Sequence, residues 1–344
     1  MNRAKGVNRL FLVLVLLSVA APFLLGRFLT NLTFYQSTAV SQAMYFAPVL
    51  IYIVLTGGGI LDELQLEIPK LSVMVLIVIL SMLLQPVMSW LNVFSMFFAE
   101  NYVASSMLEL DGTAVGKNLM YIAIVPALAE EFMFRGVFYH GYRRAGVWKA
   151  ALCSGLCFGL IHMNLNQFFY AFVLGIIFAL LVEATGSVLS TMLAHFLINA
   201  NSVMLLAVES ELESSMGSVG SGGAAMGAAE TLAEMFSRQE MLMILGVYTV
   251  MALICGAMAY GVLKLIAKWS GRKEHMQMAL GRQRKKCRNA ENFGGDWTRS
   301  SDAGNSEKEV WEEEPTERER IFTPSLFLGI VGAVTYMVVT ELLL

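Results

Sequence analysis

Charge is scarce in this sequence. Asp, Glu, Lys and Arg make up only 15% of its 344 residues, where a water-soluble domain carries about 25%. Hydrophobic residues make up 56%, and the mean hydropathy is +0.61. A soluble fold has no interior large enough for so much apolar side chain, whereas a bilayer accepts it. The expected class is therefore an all-α, polytopic transmembrane bundle in contact with lipid. The 24 Lys and Arg nearly balance the 27 Asp and Glu, for a net charge of -3. That excludes the strongly basic face on which nucleic-acid binding depends. Cysteine is also scarce. Cys153, Cys157, Cys255 and Cys287 form no CxxC pair, so neither a disulfide framework nor a cysteine zinc site is supported. There are only four histidines. No internal repeat is apparent, which counts against a transporter built from inverted halves.

Long apolar runs dominate what is present. A bilayer core of ~30 Å needs ~20 apolar residues as a helix. Nine stretches qualify: Val7–Phe28, Ser41–Gly57, Leu71–Val93, Lys117–Tyr142, Trp148–Asn164, Gln167–Glu183, Ser187–Val208, Met241–Lys268 and Thr323–Leu344. The first follows Arg3, Lys5 and Arg9 and resembles a signal peptide. Its apolar run continues past Ala20 and Ala21, so an uncleaved anchor is expected. Basic loops set orientation. Arg3, Lys5 and Arg9 place the N-terminus in the cytoplasm. Alternation then puts Arg143, Arg144 and Lys149, and later Lys264, Lys268, Arg272 and Lys273, on the same side. The plasma membrane of a bacterium is the expected location.

The chain divides accordingly. Residues 1–70 form N-terminal transmembrane helices, 71–208 a core, and 209–240 a flexible external loop that is Gly-rich at Ser218–Gly227. Residues 241–269 form another span, 270–322 a polar cytoplasmic linker, and 323–344 the last span. The linker begins basic (Arg282, Arg284, Lys285, Lys286, Arg288) and ends acidic (Glu307, Glu309, Glu312, Glu313, Glu314, Glu317, Glu319). It reads as a solvated linker, with a basic patch on anionic headgroups as the alternative.

A charge at the membrane centre costs at least ~2.5–3.5 kcal/mol, so ionisable groups inside spans are functional candidates. The fourth span carries Glu130, Glu131 and Arg135. Glu131 and Arg135 are four residues apart and share a helix face, which predicts an ion pair. Glu130 is rotated ~100° away and has no basic partner at helical spacing. It needs a proton, a metal or groups from another helix. The fifth span carries His162 one turn after Phe158, and its Gly155 and Gly159 permit close helix packing. The seventh carries His195 and Asn199, again four apart on one face. At ~1.5 Å per residue, Glu130 lies ~18 Å from its helix end near Tyr142, and His162 lies ~21 Å from Trp148. His195 and Asn199 lie ~13 and ~19 Å from Gly186. All four therefore fall near mid-membrane.

In order along the chain, Glu130-Glu131…Arg135, Phe158…His162 and His195…Asn199 resemble the CAAX protease and bacteriocin-processing (Abi) family of intramembrane endopeptidases. The stretch Leu174-Gly175…Val182-Glu183…Gly186-Ser187 is also similar. The likeness covers roughly 71–208, about two-fifths of the chain. It implies hydrolysis of a peptide bond in a peptide or membrane-protein substrate, in or near the membrane. Glu130 is the natural general base, acting on a water held with His162. His195 and Asn199 serve either as metal ligands or as an oxyanion hole. Family members are read both as metalloproteases and as glutamate-type proteases. Zinc on His162, His195 and Asn199 is the expectation here, with no cofactor in the glutamate-type alternative. Against zinc, Asn is an uncommon ligand and no HExxH helix is present. Two rival classes use the same polar residues: a non-catalytic immunity or scaffold protein, and a proton-coupled transporter.

Overall fold

The computed structural model describes residues 3–29, 32–57, 66–108, 110–216, 237–279 and 321–343. The Gly-rich stretch Ser218–Gly227 and the charge clusters of the linker lie outside them. The described residues are helical, with no strand among them. The helices are α1 (Arg3–Leu29), α2 (Phe34–Leu55), α3 (Leu71–Ser95) and a short α4 (Tyr102–Leu108). Next, α5 runs continuously over 115–143, and α6 is Val147–Ile161. They are followed by α7 (Leu165–Thr185), α8 (Val188–Met216), α9 (Arg238–Trp269), a short α10 (Lys273–Ala279) and α11 (Pro324–Leu343). Seven of them, α1, α2, α3, α7, α8, α9 and α11, are long and apolar enough to cross a membrane. α6 is apolar but shorter. The protein is an integral, multi-pass helical bundle. Its outward faces are apolar, as at Val54 on α2 and Leu253 on α9, 78% and 69% exposed.

Among the described residues, the helices other than α4 and α10 alternate between two ends of the bundle, in the order of the apolar stretches. At one end Asn8 of α1 donates to the Ile321 carbonyl and to Thr323 just before α11. There the Tyr142 hydroxyl at the end of α5 donates back to Asn8. At the other end Tyr35 of α2 donates to Asn118 of α5, Asn166 of α7 to Ser95 of α3, and the Glu100 amide to Glu341 of α11. α1 is thereby tied to α5 and to the start of α11 at the first end. Thr113 leads into α5, and its amide and hydroxyl both donate to Asp111. Those bonds hold the Asp111 carboxyl below its ordinary value.

The first end is the basic one, and Glu183 is its hub. Its carboxylate accepts from Tyr139 and Arg143 of α5 and engages the His275 ring of α10. Its backbone carbonyl accepts from Arg272. Gly271, at φ +73°, reverses the chain after α9 and lets α10 fold back onto this carboxylate. The start of the expected linker is therefore a docked helix. The expected external loop also begins later, since α8 continues to Met216. Residues 209–216 contain neither Gly nor Pro to stop a helix.

α6 and α7 form a tight hairpin. A Cβ built on Gly175 would lie 2.5 Å from the Gly155 Cα, and one on Gly159 would lie 3.0 Å from the Phe168 carbonyl. Only glycine permits this backbone-on-backbone approach. The turn comes earlier than the sequence suggests: α6 ends at Ile161, His162 caps it, and Met163 adopts φ 51°. Asn164 then caps α7 by accepting from the Gln167 amide. His162 therefore sits at a helix terminus, not within a span that runs on to Asn164.

Candidate active site

α5 carries the carboxylates, and its winding changes around them. It is π-helical over Leu119–Ile124 and again over Phe132–Tyr139. Such wide turns inside α-helices are frequent at functional sites. Side chains cap carbonyls in the second π stretch. Ser154 donates to Phe134 O at 2.9 Å, and the His140 ring meets Arg135 O at 2.7 Å.

Between the two π stretches stand Glu130 and Glu131, and their roles separate geometrically. Glu131 and Arg135 form the expected ion pair at 2.8 Å, with both side chains fully buried. The same oxygen, Glu131 Oε1, also takes the His195 Nδ1 of α8 at 2.8 Å. Arg135 has a second environment that the spacing did not announce. Its guanidinium lies 4.4 Å from the centroid of the Phe158 ring and 5.0 Å from that of Phe178. Its Nε and Nη2, together with Glu131 Oε2, have no hydrogen-bond partner. The ring faces therefore supply part of what hydrogen bonds do not.

Glu130 stays outside this pair. Its side chain is 17% exposed, and its Oε2 lies 4.0 Å from His195 Nε2. That separation is too long for a hydrogen bond. Its Oε1 accepts from Gln42 Nε2 of α2 at 3.0 Å. Gln42 was missed in the sequence, although an amide in an apolar span was the available signal.

The two expected histidines share an aromatic neighbour. Phe158 makes edge contacts with the rings of His162, at 5.0 Å, and His195, at 6.1 Å. His162 Nδ1 bonds the Phe158 carbonyl at 2.7 Å. Each imidazole therefore has Nδ1 tied to an oxygen and Nε2 uncommitted, the state in which a ring holds water or a metal. Asn199 lies further along. Its amide donates to Ile122 O in the first π turn at 3.0 Å, two helical turns before Glu130. The structure thus joins Glu131, Arg135 and His195 directly, with Glu130 4.0 Å from His195. It brings His162 alongside through Phe158, and holds Asn199 on the same helix at a different level. Among the described residues, no three His, Cys, Asp or Glu side chains gather as metal ligands.

Residues 115–201 match the family described as Rce1-like, type II CAAX prenyl endopeptidase. The chain carries an Rce1-like domain. That match, over about a quarter of the chain, is consistent with the CAAX protease and bacteriocin-processing family. It begins with α5 and ends inside α8, so it contains all six residues singled out by their spacing. Gln42 and the helices α9 to α11 lie outside it. No curated protein and no solved structure matches the chain.

Proposed function

We propose that the chain hydrolyses a peptide bond in or near the membrane, with Glu130 as the general base. The observation that carries this reading is the division of labour between adjacent carboxylates. Arg135 and His195 Nδ1 engage Glu131, while Glu130 Oε2 lies 4.0 Å from the uncommitted nitrogen of His195. Polar groups 4.0 Å apart suit a bridging water. Water there would give its hydrogens to two acceptors and direct an oxygen lone pair at a substrate carbonyl. His162 Nε2 is a further group able to hold it. Glu130 takes the proton as the oxygen attacks, then passes it to the leaving amine as the tetrahedral intermediate collapses. His195 Nε2, when it carries a proton, and the second amide hydrogen of Asn199 are the donors for the oxyanion. The test is a comparison of membrane proteomes from cells making the wild type and Glu130→Gln. New N-termini within or beside spans, present only with the wild type, are expected. Identical sets would overturn the reading.

Zinc is the alternative use of the same nitrogens. His162, His195 and Asn199 are the residues that would hold it. A bound zinc would polarise the scissile carbonyl and acidify the attacking water. In that case the purified protein contains about one zinc per chain, bound by three protein ligands plus water, and His195→Ala loses it. Active protein without zinc in elemental analysis ends this alternative and leaves the protease reading standing.

We also infer that the basic end faces the cytoplasm of a bacterial cell, N-terminus included. Arg3, Lys5, Arg9, Arg143, Arg144, Lys149, Lys268 and Arg272 collect there, while Asp111, Glu209, Glu211 and Glu240 lie at the other end. This is the positive-inside distribution. Reporter fusions at Arg144 should read cytoplasm and those at Ser221 the outside. A cytoplasmic reading at Ser221 would reverse the arrangement.

A further inference from the structure

α2 lies outside the Rce1-like domain and is mostly exposed, with only Val49 and Ile53 buried among its side chains. One stripe of it nevertheless faces the domain. Tyr35 bonds Asn118, Gln42 bonds Glu130, and the Phe46 ring packs on that of Phe132 with centroids 5.6 Å apart. Spacings of seven and four residues put these three on a single helix face. Tyr45, beside them, is tied to the Ser18 hydroxyl of α1 at 3.1 Å. Gln42 is thus held from both sides in register with Glu130.

The amide shows which of its bonds matters. Its nitrogen donates to Glu130 Oε1 at 3.0 Å, while its own oxygen is buried without a partner. A buried carbonyl left unpaired is unfavourable, and an amide placed only for packing would satisfy both ends. Here the end that meets the carboxylate is satisfied and the other is not.

We propose that Gln42 is a positioning residue for the proposed hydrolysis. Its Nε2 fixes Oε1 of Glu130, and Oε2 is thereby held toward His195 Nε2, where the attacking water is activated. The working site then needs a helix that the Rce1-like domain does not include. This proposal rests on the protease reading of Glu130.

The test uses the purified full chain with a quenched fluorescent prenylated CAAX peptide as the probe. Gln42→Met keeps the length of the side chain and removes the donor. Its kcat should fall by about ten- to a hundredfold, the effect of losing one hydrogen bond to a charged group. KM should stay within about twofold, because a misplaced base slows chemistry without weakening ground-state binding. An unchanged kcat, or a rise in KM alone, would overturn the proposal. A second measurement needs no substrate: melting in detergent of Gln42→Met, Glu130→Ala and the double variant. Non-additive shifts are expected of contacting side chains, and additive shifts would overturn the contact. If the wild type cleaves no peptide, the protease reading falls and the positioning role falls with it. Additivity with an active wild type removes Gln42 alone.

Discussion

Glu130→Gln should lose peptide cleavage and keep its melting temperature. Glutamine preserves the shape of the side chain and still offers an oxygen to Gln42 Nε2, which donates to that position at 3.0 Å. It cannot take a proton from water. The expected loss of turnover is at least about 10²–10⁴-fold, the usual contribution of a positioned general base. Glu130 belongs to no ion pair closer than the 4.0 Å approach to His195, so neutralising it strands no partner charge. The measurement is cleavage rate beside thermal unfolding in the same detergent. A variant that turns over at the wild-type rate would remove Glu130 from the chemistry.

Arg135→Ala should do the reverse and act mainly on stability. The guanidinium and Glu131 are both fully buried, and removing one partner of such a pair costs about 3–5 kcal/mol. The side chain also fills the space between Phe158 and Phe178, so alanine leaves a gap between the rings. The His195 ring would be the one remaining partner of Glu131. A large drop in melting temperature and in the yield of folded protein is expected, well beyond that of Glu130→Gln. Equal melting of the two variants would show that the pair contributes nothing to the fold.

The contrast between these residues was visible in the sequence, because helical periodicity is local. Spacings of four placed Glu131 beside Arg135, left Glu130 alone, and put His195 and Asn199 on one face of α8. Hydropathy likewise gave the all-helical membrane architecture and the order of the rods, since each span must satisfy its backbone internally. Contacts between helices were not legible. No spacing rule could show that His195 Nδ1 would bond Glu131, that Phe178 would close over Arg135, or that Gln42 would reach Glu130 across 88 positions of sequence. Helix ends were imperfectly legible for a different reason. His162, Met163 and Asn164 include no Gly or Pro to mark a turn, and only the φ of Met163 and the cap at Asn164 show where α6 stops. The π turns of α5 left no compositional trace.

The Glu183 hub bears on what counts as a unit in this protein. Glu183, Tyr139 and Arg143 lie inside the stretch 115–201 that carries the family match. Arg272 and His275, which complete the cluster, come from beyond it. Gln42 completes the carboxylate at the other level from the opposite flank of the sequence. The segment that is recognisable by descent is therefore smaller than the segment that satisfies its own buried charges. A boundary drawn around the motifs cuts through two polar clusters, one at each level of the bundle. The flanking helices, which carry no recognisable signature, supply the groups that close them.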